Sequence, residues 1–148
     1  MEPNGRSRPL VLAVDADAGV RSAFGLILED SCEVLEAADA PGALDLLTRR
    51  PVDLVLLDVL MPGMGGLALL ERLRAILPDV PVVLVTALDE ARPAVAAMKL
   101  GAFDYLTKPF DPDELLTAVQ RALAARRGGA SRAVRCGAPF PVVRPALR

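Results

Sequence analysis

The sequence predicts a single α/β domain built on a doubly wound, five-stranded parallel sheet with five helices. Short apolar runs alternate with segments of helical periodicity five times along the chain. Such alternation is typical of a parallel sheet that carries helices on both faces. The 148 residues are enough for one ordinary domain, and 53% of them are hydrophobic, which supports a packed core.

The five strands are predicted where short runs rich in Val and Leu end at polar or turn residues. They cover residues 10–14, 33–37, 53–57, 81–85 and 103–106. The run before Asp58 is the clearest, because it is continuously apolar, as in strands buried on both faces. The second run is the weakest, since it contains two glutamates.

The five helices are predicted from apolar residues at helical spacing and from capping residues. They cover about residues 18–29, 40–50, 67–77, 91–100 and 112–126. Asp17 has the position of an N-cap for the first helix. The run Asp111-Pro112-Asp113-Glu114 has the form of an N-cap, an N1 proline and an N3 glutamate. Residues 61–66 are rich in Gly and Pro and are predicted to be a loop.

Charge and composition divide the chain into three parts. We expect residues 1–9 to be disordered, residues 10–126 to form the domain, and residues 127–148 to be a flexible basic tail. Residues 10–125 contain 18 acidic and 9 basic residues, whereas residues 126–148 contain six arginines and no acid. The domain is therefore acidic, and the tail is basic.

Composition also excludes several function classes. The chain has no histidine and only two cysteines, which rules out zinc sites of Cys and His and nucleophiles activated by His. Aromatic residues make up 3%, too few for stacking platforms that bind single-stranded nucleic acid. The first residues lack an apolar signal segment, and the longest apolar runs are too short to span a bilayer. We therefore expect a cytoplasmic protein without membrane contact.

Polar residues follow four of the five predicted strands. They are Asp15, Asp58, Thr86 and Lys108. In an open parallel sheet, ligands bind at the carboxyl ends of the strands. A carboxylate there can attack a phosphoryl group, while an ammonium and a hydroxyl contact its oxygens and Mg²⁺ offsets the repulsion between the anions. The pattern favours phosphoryl chemistry, although no nucleotide-binding GxxxxGK[ST] loop is present.

Each of these residues also has a structural interpretation. Asp15 can be a turn residue, Thr86 can cap the next segment, and Lys108 can be a solvated charge. Their joint occurrence at four strand ends favours the functional interpretation.

Two segments carry a resemblance to a known family. Residues 53–66 read DLVLLDVLMPGMGG, and residues 101–110 read GAFDYLTKPF. With residues 11–17 and 82–87, they make the chain similar to the receiver domains of bacterial two-component systems, over nearly all of residues 10–126. The resemblance implies a non-enzymatic, flavodoxin-like domain with strand order 2-1-3-4-5.

The same resemblance implies residue roles. Asp58 would accept the phosphoryl group, and Thr86 and Lys108 would contact it. Asp15, Asp58 and the backbone carbonyl of Leu60 would serve Mg²⁺. Tyr105 would be an aromatic switch that turns inward when Thr86 moves, and the Lys108–Pro109 peptide would be cis.

One position departs from the family pattern. The first strand of the family ends in two adjacent acids that serve the metal, but here Ala16 follows Asp15. Asp17 is either the cap of the next helix or a substitute ligand. We therefore expect weak Mg²⁺ binding, and the sequence leaves open whether Ala16 abolishes it and with it phosphorylation.

The leading hypothesis is a phosphorylation-controlled signalling switch. It would receive its phosphoryl group from a histidine kinase or phosphotransfer protein, and would act on a downstream protein through the fourth helix, fifth strand and fifth helix. Alternatives are a pseudo-receiver that binds proteins without phosphorylation, and a transcription regulator that lacks its DNA-binding domain. The sequence predicts no nucleic-acid partner for the domain. It leaves open the kinase, the output, the role of the tail and homodimer formation.

Overall fold

The sheet has five parallel strands in the order β2-β1-β3-β4-β5. The computed structural model describes residues 8–60, 65–87 and 91–130. The strands are β1 (Leu10–Val14), β2 (Glu33–Ala37), β3 (Leu54–Leu57), β4 (Val82–Thr86) and β5 (Asp104–Thr107). The three central strands are buried along their whole length, because helices cover both faces of the sheet.

Five helices alternate with the strands. They are α1 (Ala18–Leu28), α2 (Ala40–Arg49), α3 (Gly66–Ile76), α4 (Ala91–Lys99) and α5 (Pro112–Ala130). Side chains of α1 and α5, such as Phe24 and Val119, pack on one face of the sheet. Side chains of α2, α3 and α4, such as Ala43, Leu70 and Ala97, pack on the other. The predicted doubly wound architecture and strand order are confirmed.

The predicted elements agree with the structure to within about one residue except at the end of α5. That helix continues to Ala130, four residues beyond the predicted end near Arg126. The predicted end rests on the loss of helical periodicity after Arg127. Glycine disfavours an established helix by only about 1 kcal/mol per residue, so the helix continues through Gly128 and Gly129. Most of the predicted N-terminal segment and residues 131–148 of the predicted tail lie outside the described residues.

Local capping explains where two of the helices start. Asp17 accepts hydrogen bonds from the backbone of Gly19 and Val20 at the start of α1. Asp39 does the same for Gly42 in α2. These carboxylates satisfy N–H groups that have no partner within their helix. Within the described residues, none of the helices is long and apolar enough to cross a membrane.

Candidate functional site

Three polar residues lie together at the carboxyl ends of the central strands. Asp15 follows β1, Asp58 follows β3, and Thr86 is the last residue of β4. Their exposed fractions are 1%, 8% and 0%. The backbone N–H of Asp58 donates to the carbonyl of Val14 at 3.1 Å, which places the two carboxylates side by side. Parallel pairing thus brings together residues that are far apart in sequence.

Lys108 joins the two carboxylates. Its Nζ lies 2.8 Å from Oδ2 of Asp15 and 3.1 Å from Oδ2 of Asp58. Its backbone N–H donates to the carbonyl of Thr86 at 2.8 Å, so the end of β4 fixes the start of the lysine side chain. The structure therefore brings four of the sequence-predicted residues into one cluster.

The electrostatics of this cluster favour the protonated lysine. Burial by itself would lower the pKa of Lys108, but hydrogen bonds to Asp15 and Asp58 and their negative charges act against burial. The net result is a pKa above the ordinary value of 10.5. The ammonium therefore remains charged, and it offsets the repulsion between two carboxylates that share a small pocket.

The hydroxyl of Thr86 is buried and has no hydrogen-bond partner among the described residues. A buried hydroxyl without a partner costs roughly 1–3 kcal/mol, so such groups in native proteins call for an explanation. A ligand at the same edge of the sheet would give this hydroxyl an acceptor.

Ala16 and Asp17 lie at the surface next to the pocket. The backbone N–H of Asp17 donates to Oδ1 of Asp15 at 2.9 Å, and the Asp17 carboxylate caps α1. Of the two interpretations of Asp17, the structure contains the helix cap. Only Asp15 extends a carboxylate from the end of β1 to Lys108.

The turn after β3 fixes the other carboxylate. The backbone N–H of Leu60 donates to Oδ1 of Asp58 at 2.9 Å. Gly66 packs against this turn so closely that a Cβ there would lie 2.2 Å from Cα of Val59 and 2.5 Å from the carbonyl oxygen of Asp58. Only glycine fits this contact. Residues 61–64 of the predicted loop lie outside the described residues.

Tyr105 and Pro109 complete the region around β5. Tyr105 is half-buried and packs against the cluster of α2, α3 and α4. The Lys108–Pro109 peptide is cis, as the resemblance implied.

Arg21 is a site neighbour that the sequence analysis missed. Its Nη1 donates to the backbone carbonyl of Asp15 at 2.6 Å, and its Nε donates to Glu36 of β2 at 2.9 Å. An arginine on a helix six residues after Asp15 forms no sequence motif that would mark it as a neighbour of the site. Its position four residues after the cap Asp17, on the first turn of α1, was the only available signal.

The donor set fits a small divalent cation of the Mg²⁺ type. One oxygen each of Asp15 and Asp58 contacts the Lys108 ammonium, so the two carboxylates lie close enough for one cation to contact both. Mg²⁺ is commonly held by one or two carboxylates, with water and phosphate completing its coordination. The described residues contain no group of three or more Asp, Glu, Cys or His side chains that could enclose a metal.

Comparison with known proteins decides the family. Residues 11–120 match the response regulator receiver domain. The chain belongs to this family. Receiver domains are signalling modules of two-component systems, and the shared segment contains every residue of the cluster described above.

The receiver domain is similar to the corresponding part of longer regulators. It is 40% identical over 120 residues to the DNA-binding transcriptional regulator NtrC of Klebsiella pneumoniae, in a match that covers 79% of this chain and 25% of NtrC. It is 35% identical over 126 residues to the phosphate regulon transcriptional regulatory protein PhoB of Pseudomonas aeruginosa, covering 83% of this chain and 55% of PhoB. The chain thus spans a quarter to about half of these relatives.

Solved structures of isolated receiver domains have the same fold. A CheY-like receiver domain protein from Methanospirillum hungatei superposes with a TM-score of 0.78 at 29% identity, covering 82% of this chain and 98% of that one. The signal receiver domain of an HD domain-containing protein from Pseudomonas fluorescens superposes with a TM-score of 0.79 at 32% identity. This match covers 82% of this chain and 99% of that one.

Proposed function

We propose that this receiver domain, spanning about residues 10–126, is a phosphorylation-controlled switch with Asp58 as its phosphoacceptor. The observation that carries the proposal is the contact of one ammonium, that of Lys108, with both Asp15 and Asp58. The ammonium that the two buried carboxylates share can stabilise the negative charge of a phosphoryl group in the transition state.

The proposed reaction transfers a phosphoryl group from a phosphohistidine of a kinase or phosphotransfer protein. A carboxylate oxygen of Asp58 attacks phosphorus, the donor's P–N bond breaks, and the imidazole leaves with a proton from solvent. Asp58 then carries an acyl phosphate. Lys108 exchanges its contact with the carboxylate of Asp58 for one with a phosphoryl oxygen, and the buried hydroxyl of Thr86 donates to another.

Mg²⁺ would be held by the carboxylates of Asp15 and Asp58 and the backbone carbonyl of Leu60. When bound, it offsets negative charge between the acceptor and the donor. Lys108 contacts both carboxylates and would remain beside them as a second positive charge. Asp17 stays in its capping position in this scheme.

The switch would couple Thr86 to the surface of α4, β5 and α5. Movement of Thr86 toward the phosphoryl group makes room for Tyr105 to turn inward, and the two conformations then differ at this surface. Val95 and Met98 of α4 are 50% and 40% exposed. Apolar side chains exposed on one helix suit a downstream protein partner.

A second candidate function is a pseudo-receiver that binds partners without phosphorylation. Ala16 favours it, because the family pattern has a metal-binding acid at that position and a methyl group cannot coordinate a cation. The two functions differ in a single observable property, which is covalent modification of Asp58.

The test exposes the full chain to a small phosphodonor such as acetyl phosphate, with Mg²⁺ or with a chelator, and measures the intact mass. The proposal predicts one added phosphoryl group with Mg²⁺ and far less with the chelator. An unmodified mass at saturating Mg²⁺ would favour the pseudo-receiver.

A further inference from the structure

Arg21 connects three elements on the β2 side of the candidate site. It lies on the first turn of α1, contacts the end of β1 through Asp15, and contacts β2 through Glu36. We infer that Arg21 is a positioning residue, which fixes Asp15 in the orientation that cation binding requires. This inference rests on the proposed function.

The geometry separates Arg21 from an ordinary surface ion pair. Its side chain is only 15% exposed, and its guanidinium donates at 2.6 Å to the backbone carbonyl of Asp15 rather than to the carboxylate. The carboxylate oxygens of Asp15 are thus left for Lys108 and the N–H of Asp17. Arg21 therefore acts on the site through Asp15 and not through a ligand contact.

All four polar atoms of Asp15 have a partner. Its N–H donates to Ala37, its carbonyl accepts from Arg21, and its two carboxylate oxygens accept from Asp17 and Lys108. Each carboxylate oxygen keeps a further lone pair with which it could bind a cation. Arg21 and the two backbone bonds then hold the carboxylate in place.

Ala16 makes this positioning more important. With an alanine at position 16 and Asp17 engaged as the cap of α1, Asp15 provides the carboxylate from this strand end. A site with fewer protein ligands loses a larger fraction of its affinity when one ligand becomes mobile. Residues that hydrogen-bond to a metal-binding residue and orient it typically contribute about 10–100-fold to metal affinity.

Arginine suits this position because its two acceptors lie on different strands. The planar guanidinium presents donors in fixed directions, so Nη1 and Nε reach Asp15 and Glu36 at once. A lysine has one ammonium on a flexible chain and cannot hold the same two acceptors with the same geometry.

If Arg21 had only a structural role, its ion pair with Glu36 would serve to hold α1 against β2. The chain offers a control for this role in a second ion pair of β2. Arg50 pairs with Glu33 at 3.3 Å, at the opposite end of the same strand β2. Both partners are exposed, at 44% and 42%, and neither touches Asp15. Such a pair contributes little to stability and nothing to the site.

The experiment compares Arg21→Gln, Arg21→Lys and Arg50→Gln in the full, unphosphorylated chain. Mg²⁺ affinity is measured by isothermal titration calorimetry, and exchange of the Asp17 amide proton is measured by NMR without metal. That amide reports its hydrogen bond to Oδ1 of Asp15. Arg21→Gln should lower the affinity about tenfold and speed the exchange of Asp17, with a smaller effect for Arg21→Lys and none for Arg50→Gln.

The outcomes distinguish the inference from its alternatives. Unchanged affinity and unchanged exchange in Arg21→Gln, or loss of thermal stability alone, would overturn it. A rise in Mg²⁺ affinity would also overturn it, because the guanidinium would then act mainly as a competing positive charge. If the wild type takes up no Mg²⁺ at all, the proposed function fails, and the exchange of Asp17 still decides whether Arg21 positions Asp15.

Discussion

Lys108 and Asp58 are 50 positions apart in sequence, yet Nζ of the lysine lies 3.1 Å from Oδ2 of the aspartate. The backbone brings them together, since Asp58 follows β3 and the N–H of Lys108 donates to the last residue of β4. The same ammonium contacts Asp15, so one positive charge stabilises two buried negative charges. Stability and the proposed chemistry therefore depend on the same contacts.

The raised pKa of Lys108 predicts a loss of stability in alkali. A group whose pKa is higher in the folded state stabilises the fold at pH values below its unfolded pKa, and this contribution is lost as the pH rises through the folded pKa. Without metal, the difference in unfolding free energy between wild type and Lys108→Gln should be constant between about pH 8 and pH 10. It should decrease above the ordinary value of 10.5.

Urea unfolding at a series of pH values checks this prediction. The exposed Lys99 of α4 is the matched control, because it is the only other lysine in the sequence. The Lys99→Gln variant should follow wild type throughout. A difference between wild type and Lys108→Gln that stays constant through the alkaline range would contradict the account of the ammonium.

Thr86→Val should stabilise the unphosphorylated protein and weaken its switching. The substitution removes a buried hydroxyl that has no partner among the described residues, so the unfolding free energy should rise by about 1 kcal/mol. Thr48 is the control, because its hydroxyl donates to the backbone carbonyl of Asp45 at 2.6 Å, and Thr48→Val should gain no stability. A marked loss of stability in Thr86→Val, measured by urea unfolding, would show that the hydroxyl is already paired.

Gly66→Ala should destabilise the turn that holds Asp58. The added Cβ would lie 2.2 Å from Cα of Val59, so the backbone on one side of this contact must shift. We expect a loss of about 2–4 kcal/mol. Gly25→Ala on α1, where nothing lies within 4 Å of the new Cβ, should instead gain about 0.5–1 kcal/mol. Equal thermal stability of the two variants would be inconsistent with the close contact.

Ala16→Asp and Asp17→Ala should have different effects on the cation site. Adding a carboxylate beside Asp15 should raise Mg²⁺ affinity by at least about tenfold. Removing the cap of α1 should lower stability by about 1 kcal/mol and leave Mg²⁺ affinity unchanged. Magnesium titration and thermal unfolding separate the two effects. Loss of Mg²⁺ binding in Asp17→Ala would show that Asp17 is a substitute ligand.

The fold could be predicted because hydrophobic periodicity and helix caps are local signals. The apolar run before Asp58 and the caps Asp17 and Asp39 each define an element within a few residues, and the structure has all ten elements in the predicted order. The end of α5 could not be predicted in the same way. Continuation of a formed helix through Gly128 and Gly129 depends on cooperativity rather than on a local preference.

The candidate site was only partly accessible to sequence reasoning. Strand ends identify Asp15, Asp58, Thr86 and Lys108, because parallel strands place their carboxyl ends at one edge of the sheet. The Thr86 hydroxyl, which has no partner within the described part of the chain, and the contact between Arg21 and the carbonyl of Asp15 depend on packing between distant segments. Such contacts leave no periodic pattern in the sequence.

The most direct test of the central claim locates the phosphoryl group. Wild type, Asp58→Asn and Asp53→Asn are treated with a small phosphodonor and Mg²⁺, and peptide mass spectrometry then identifies the modified residue. Asp53 is the control, since it lies just before the same strand β3, at the end remote from Lys108. The account predicts modification at Asp58 in wild type and Asp53→Asn, and none in Asp58→Asn. Modification that persists in Asp58→Asn would contradict it.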